Sequence, residues 1–141
     1  MEWTGGCLCG AIKYRATADP FWVGHCHCEF CQRWTGSAAF TGAFFAPDQL
    51  QWTRGQPCYF QSSKNIQRSF CSSCGSPLGF HRAGHHDGVT AGTLDNPEAI
   101  KPEVHMFAEH EHAWAKFVDG LPRQEGFLPE DEDFDDPSLH E

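Results

Sequence analysis

Short stretches in which every second position is apolar recur along this chain. Between Gly10 and Ala16 the apolar Ile12, Tyr14 and Ala16 alternate with Lys13 and Arg15, the two-residue period of a strand with one buried face. Runs of similar length follow at 38–46 (AAFTGAFFA), 49–53 (QLQWT), 57–63 (PCYFQSS), 65–71 (NIQRSFC), 76–82 (SPLGFHR) and 87–94 (DGVTAGTL). Gly, Pro, Asn and Asp separate them, so the pattern predicts a mainly β domain of antiparallel strands. Helix is confined to two short places: 110–117 (HEHAWAKF), and 29–34, directly after a group of cysteines. No stretch repeats another and no second domain is visible. The reading is one small domain over 1–125, followed by an acidic, flexible tail over 126–141.

Composition sharpens this picture in two respects. With 14 Gly and 9 Pro in 141 residues, the chain turns too often for long helices. The net charge of -9 is concentrated, because seven of the 19 acidic residues lie within 130–141 and the remainder is close to neutral. No basic face is left to meet a phosphate backbone, so nucleic acid is not expected as a partner. No apolar run approaches the roughly 18 residues of a membrane span, and MEWTGG lacks the basic and apolar regions of a signal peptide. A cytoplasmic protein with no membrane partner is expected.

Eight cysteines in such a chain read as metal ligands rather than disulfides, because reducing compartments keep thiols open. Cys7 and Cys9, the trio Cys26, Cys28 and Cys31, and Cys71 and Cys74 each place thiols one or two residues apart, close enough to share an ion. The natural partition joins Cys7 and Cys9 to Cys71 and Cys74 as a closed, fold-holding tetrahedral site. Gly10 and Gly75 follow these pairs, where positive φ lets backbone amides turn toward sulfur. Joining the trio to one outside cysteine would leave an odd set. The trio also lacks the C-x2-C-x2-C spacing of an iron–sulfur cluster. Cys58 stands alone and is expected to be a small buried apolar residue.

The trio has two readings. Either His25, His27 or a distant histidine closes a Cys3His site, or three thiolates leave a position open, as a catalytic metal requires. His27, between two ligands, points away from their ion and lines the site; it is the candidate acid or base. Arg33, Lys64 and Arg68 are candidates to meet a substrate carboxylate. His85, His86, His110 and His112 are expected on exposed loops, and the five tryptophans in core or rim packing.

The order GGCLCG, CHCEFCQR, YFQSS, RSFCSSCGSPL, GTLDNP and DGLP resembles the glutathione-dependent formaldehyde-activating enzyme family, which includes proteins similar to the centromere protein CENP-V. The resemblance runs from about Gly5 to Pro122. It implies a small β architecture often called a β-tent, and two zinc ions. Cys7, Cys9, Cys71 and Cys74 would hold a structural ion, and Cys26, Cys28 and Cys31 a catalytic one. It further implies a carbon–sulfur lyase that adds a small thiol such as glutathione to an aldehyde such as formaldehyde, or reverses that addition. Two other functions fit the same residues: a non-enzymatic protein-interaction module with a filled second site, and a sensor in which thiol oxidation releases zinc.

Overall fold

The computed structural model describes residues 2–126; the acidic tail expected over 126–141 lies outside them apart from Gly126. The chain forms β1 (Trp3–Gly6), β2 (Lys13–Ala16), β3 (Trp22–Cys26), α1 (Glu29–Thr35), β4 (Phe40–Phe45), β5 (Leu50–Arg54), β6 (Cys58–Gln61), β7 (Gln67–Phe70), β8 (Pro77–Arg82), β9 (His86–Thr90), β10 (His105–Met106) and β11 (Arg123–Gln124). Single 3-10 turns occur at Ala91–Thr93, Pro97–Ala99, Ala108–His110 and Ala113–Ala115. Strands β1, β2 and β5 make a small sheet, and the other eight a large one in the order β11-β10-β3-β4-β9-β8-β7-β6. Every pairing is antiparallel except those of β10 with β3 and with β11. The mainly antiparallel β class read from the sequence is the class observed.

Alternation along the central strands divides the core in two. In β4, Ala43 and Phe45 join one apolar cluster and Phe40 and Phe44 another. In the same way β3 sends Val23 to the first and Cys26 to the second; on β8, Leu78 joins the first and Phe80 packs on the second because the ladder with β7 shifts register between Ser69 and Phe70. The first cluster includes Trp3, Tyr14 and Ala16 from the small sheet, so it lies between the sheets; the second lies on the opposite face, with α1. Strand side chains alternate between faces, so one sheet supports two separate cores. At Gly42 the alternation is interrupted for space: a Cβ there would come within 2.6 Å of the Phe40 ring and 2.9 Å of the Phe44 ring.

Several expectations are corrected. The helix expected over 110–117 is two isolated 3-10 turns. One turn of α-helix is costly to nucleate, and here the side chains are engaged elsewhere: Glu111 by Arg123 and His112 by Gln32. Cys58 is exposed rather than buried, because β6 is the last strand of the large sheet and all four of its residues face solvent. His86 lies on β9, buried, with its ring stacked on Phe80 at 5.6 Å, while His85 occupies the exposed turn before it. Trp114 is 77% exposed and belongs to neither core.

Candidate metal centres

Two hairpin-like turns bring the first four cysteines together. After β1 the chain reverses at Cys7–Gly10, where the Cys7 N–H donates to the Ile12 carbonyl at 3.0 Å and the Gly10 N–H to the Cys7 carbonyl at 3.2 Å. After β7 it reverses at Cys71–Gly75, where the Gly75 N–H donates to the Cys71 carbonyl at 2.8 Å. Gly10 has φ of +80° and Gly75 of +79°, the left-handed conformation that glycine adopts without a Cβ penalty. The Ile12 N–H then reaches Cys7 Sγ at 3.2 Å, and the Ser76 hydroxyl oxygen lies 3.2 Å from Cys74 Sγ while accepting the Leu8 N–H at 3.0 Å. Ser76 therefore joins the two turns directly.

The sulfurs of Cys7, Cys9, Cys71 and Cys74 all lie within 4.8 Å of one another. Cys7 and Cys9 are 3.7 Å apart, and Cys9 and Cys71 3.8 Å. A tetrahedral ion with bonds of about 2.3 Å separates its sulfur ligands by close to this distance, so the quartet fits a zinc-sized, thiolate-preferring ion.

The trio is built where β3 meets α1. Cys26 ends β3, Cys28 is the N-cap of α1, and Cys31 sits one turn in, with the Cys31 N–H donating to Cys28 Sγ at 3.3 Å. Glu29 places an acid in the first turn, where the helix end favours negative charge, and Gly36 at φ +69° closes the helix by donating to the Gln32 carbonyl at 2.8 Å. All three thiols are buried and within 4.8 Å of one another. Among the described residues no fourth Cys, His, Asp or Glu donor joins the group. These donors fit a metal ion with one position left over. Hydrogen bonds from Cys26 and Cys28, reinforced by the Arg68 guanidinium, hold the Cys31 thiol well below the usual thiol range.

Beside the trio three histidines are packed together by strand register. His25 on β3 pairs directly with His105 on β10, so their rings stack at 4.6 Å, and Phe117 stacks on His25 at 4.7 Å. His105 Nε2 lies 2.9 Å from Asp119 Oδ2, and His105 Nδ1 lies 2.8 Å from His27 Nε2. A carboxylate only accepts, so the network assigns the His105 proton to Nε2 and has His27 Nε2 donate to His105 Nδ1. The 2.8 Å between the two nitrogens is the separation of a direct hydrogen bond, and Glu111 Oε2 lies 3.8 Å from His27 Nε2. His27 Nδ1 remains buried and without a hydrogen-bond partner among the described residues. Burial and the neighbouring His105 lower the pKa of His27, and the same two causes push His25 down to about 4, so both rings are neutral near pH 7.

The remaining candidates separate. Arg33 is exposed and paired with Glu29 at 2.9 Å, and Lys64 lies in the exposed turn between β6 and β7. Arg68 is buried against Cys31 Sγ at 3.6 Å. His110, His112 and Trp114, with Gln32 and Arg33 of α1, line an open cleft of about 830 Å³. Ser69, His81 and Asp87 form a hydrogen-bonded series at 2.7 and 2.9 Å, but Ser69 is fully buried, which denies a nucleophile access to substrate.

The role of Arg68 was detectable only as a charge two residues from both Ile66 and Phe70, on their strand face. His105 had no local signal, since the parallel pairing of β10 with β3 brings it beside His25 and within reach of His27, 78 residues away in sequence. Asp119 opens the DGLP segment.

A family model described as glutathione-dependent formaldehyde-activating enzyme matches residues 2–110. A Schizosaccharomyces pombe protein named as an uncharacterized lyase is 32% identical over 80 residues, which cover 56% of this chain and 57% of that protein. The chain thus matches little more than half of that relative's length. A crystal structure of a Rhodobacter sphaeroides protein is similar in fold, with a TM-score of 0.56 at 20% identity over 85% of this chain and 98% of the other.

Proposed function

This chain belongs to the glutathione-dependent formaldehyde-activating enzyme family, and from that membership we propose that it is a zinc-dependent carbon–sulfur lyase joining a small thiol such as glutathione to an aldehyde such as formaldehyde, or separating the adduct. One observation carries the reading: Cys26, Cys28 and Cys31 converge in a buried site with no fourth protein donor among the described residues. Cys7, Cys9, Cys71 and Cys74 would hold a second, structural ion that ties the turn after β1 to the turn after β7. Zinc in the trio would supply positive charge that favours thiolate over thiol and polarises a carbonyl oxygen.

In the forward direction the thiol gives up its proton, its sulfur bonds to the aldehyde carbon, and the carbonyl π pair moves to an oxygen that gains a proton. The reverse order releases aldehyde and thiol. The chain contributes to this in three ways. Buried walls around the trio, including Phe40, Phe44 and Met106, keep bulk water away from the reacting atoms. His27 offers a neutral ring nitrogen, Nδ1, to hold or return the proton, with its other nitrogen fixed by His105 and Asp119. The cleft along α1, with Trp114 at its rim, gives room for the bulk of the thiol.

The setting is cytoplasmic in this reading, which accords with eight free cysteines. Among the described residues no helix is long and apolar enough to cross a membrane. Exchange spectroscopy by NMR on formaldehyde and glutathione tests the reaction. Faster interconversion with the wild-type protein than with buffer or with Cys28→Ser is expected. No acceleration over buffer, with glutathione or with other small thiols, would remove the enzyme reading and leave the interaction module or the redox sensor.

A further inference from the structure

Arg68 is a buried cation whose counter-charge is not a carboxylate. Only 2% of its surface is exposed, on the inward face of β7. Its guanidinium lies 4.8 Å from the Trp34 ring centroid and 5.0 Å from that of Phe80, an aromatic slot that orients it. Arg68 Nε donates to the Ser62 hydroxyl at 3.0 Å, and Nη1 points at Cys31 Sγ at 3.6 Å. No ion pair with Asp or Glu engages it among the described residues. An arginine keeps its proton under all ordinary conditions, and a buried charge without an opposite charge is strongly disfavoured. Among the described residues, the group against it able to carry negative charge is the sulfur of Cys31.

We propose that Arg68 is the built-in counter-ion of the three-cysteine centre, a positioning residue that makes a site of three thiolates and one divalent cation electrically neutral and thereby ready to accept an anionic sulfur as its fourth ligand. Three thiolates around a divalent ion leave one negative charge, which the guanidinium cancels at contact distance. A visiting thiolate then meets a neutral centre rather than an anionic one, and in a low-dielectric site that difference is large. Among the described residues no arginine donates to a sulfur of the four-cysteine centre, where Arg54 donates to the Gly10 carbonyl instead; the Ile12 N–H and the Ser76 hydroxyl lie against its sulfurs, as suits a closed site. The inference rests on the trio as the reacting centre, but it concerns charge at that centre and is read without turnover.

The test compares Arg68→Lys and Arg68→Gln with the wild type in the full-length, metal-loaded protein. Zinc affinity of each centre is measured by chelator competition. In the cobalt-substituted protein, the thiolate-to-cobalt charge-transfer band is followed as 2-mercaptoethanol is added. Arg68→Gln is expected to weaken zinc at the trio and thiol binding to the cobalt form by about tenfold or more, as loss of a charge-assisted partner implies. The four-cysteine centre should be unchanged, and Arg68→Lys should recover most of the loss. Equal affinity in wild type and Arg68→Gln would overturn the proposal. So would a lysine variant as weak as the glutamine one, since the charge would then not be the determinant. Should Arg68→Gln fail to fold, Arg68→Lys still decides: retained thiol binding supports a charge role, and its abolition in a folded protein overturns it. Loss of the exchange reaction with these affinities intact would count against the lyase reading alone.

Discussion

Cys28 holds two positions at once, as a trio thiol and as the N-cap of α1. Serine is a better cap than cysteine, so Cys28→Ser keeps the helix start while removing a metal donor. It is expected to lose about one zinc per chain with a modest change in Tm. Cys74→Ser is expected to lose the other zinc and several kcal/mol of stability, because a structural metal contributes directly to folding. Metal analysis beside thermal unfolding checks both. At His86, buried on β9 with its ring against Phe44 and Phe80, burial pushes the pKa down to about 4. Asp87 opposes that shift, whereas His81, Arg82 and His85 add to it. The unfolded chain takes up this proton near pH 6.5, so the fold loses stability as pH falls from about 6.5 toward 4, by on the order of 3 kcal/mol. His86→Gln should flatten that part of the pH–stability curve, and an unchanged slope in urea titrations at pH 7 and pH 5 would assign it to other groups.

Among the elements, α1 is the one on which the trio depends most. Gly36 ends it at φ +69°, so Gly36→Ala is expected to cost about 1 kcal/mol and to loosen the trio ion before the quartet ion. Chelator competition at the two centres separates those effects. Most strands were legible in the sequence as short apolar runs bounded by turn residues: β2, β4, β6, β7 and β8 fall within such runs, and β5 and β9 overlap them except at Arg54 and His86. β3 was not, because Trp22–Cys26 shows no alternation and its last residue belongs to the cysteine group. β10 and β11, two residues each, are too short to carry a period. The cysteine grouping was legible because chelation by neighbours leaves a local spacing. Arg68 was visible only as a candidate for a carboxylate and not as a partner of Cys31, while His105 reaches the site through the pairing of β10 with β3 and Asp119 from the loop before β11.

At the scale of the whole molecule, one large sheet keeps two metal-capable centres apart on its two faces. Cys7 and Cys71 belong to the core between the sheets, and Cys26, Cys28 and Cys31 to the core beneath α1. The first brings together four sulfurs from turns of the two sheets, which an ion would tie to each other; the second has three sulfurs, an arginine and a histidine network around it. Stripping metal with a chelator should therefore proceed in two steps, the trio first. The most direct test is X-ray absorption at the zinc edge, counting sulfur neighbours per metal with and without a small thiol. An open trio beside a closed quartet gives an average of roughly 3.5 sulfurs, rising to about 4 when glutathione binds. A count that stays constant on adding thiol, with protein donors already filling both ions, would contradict the account.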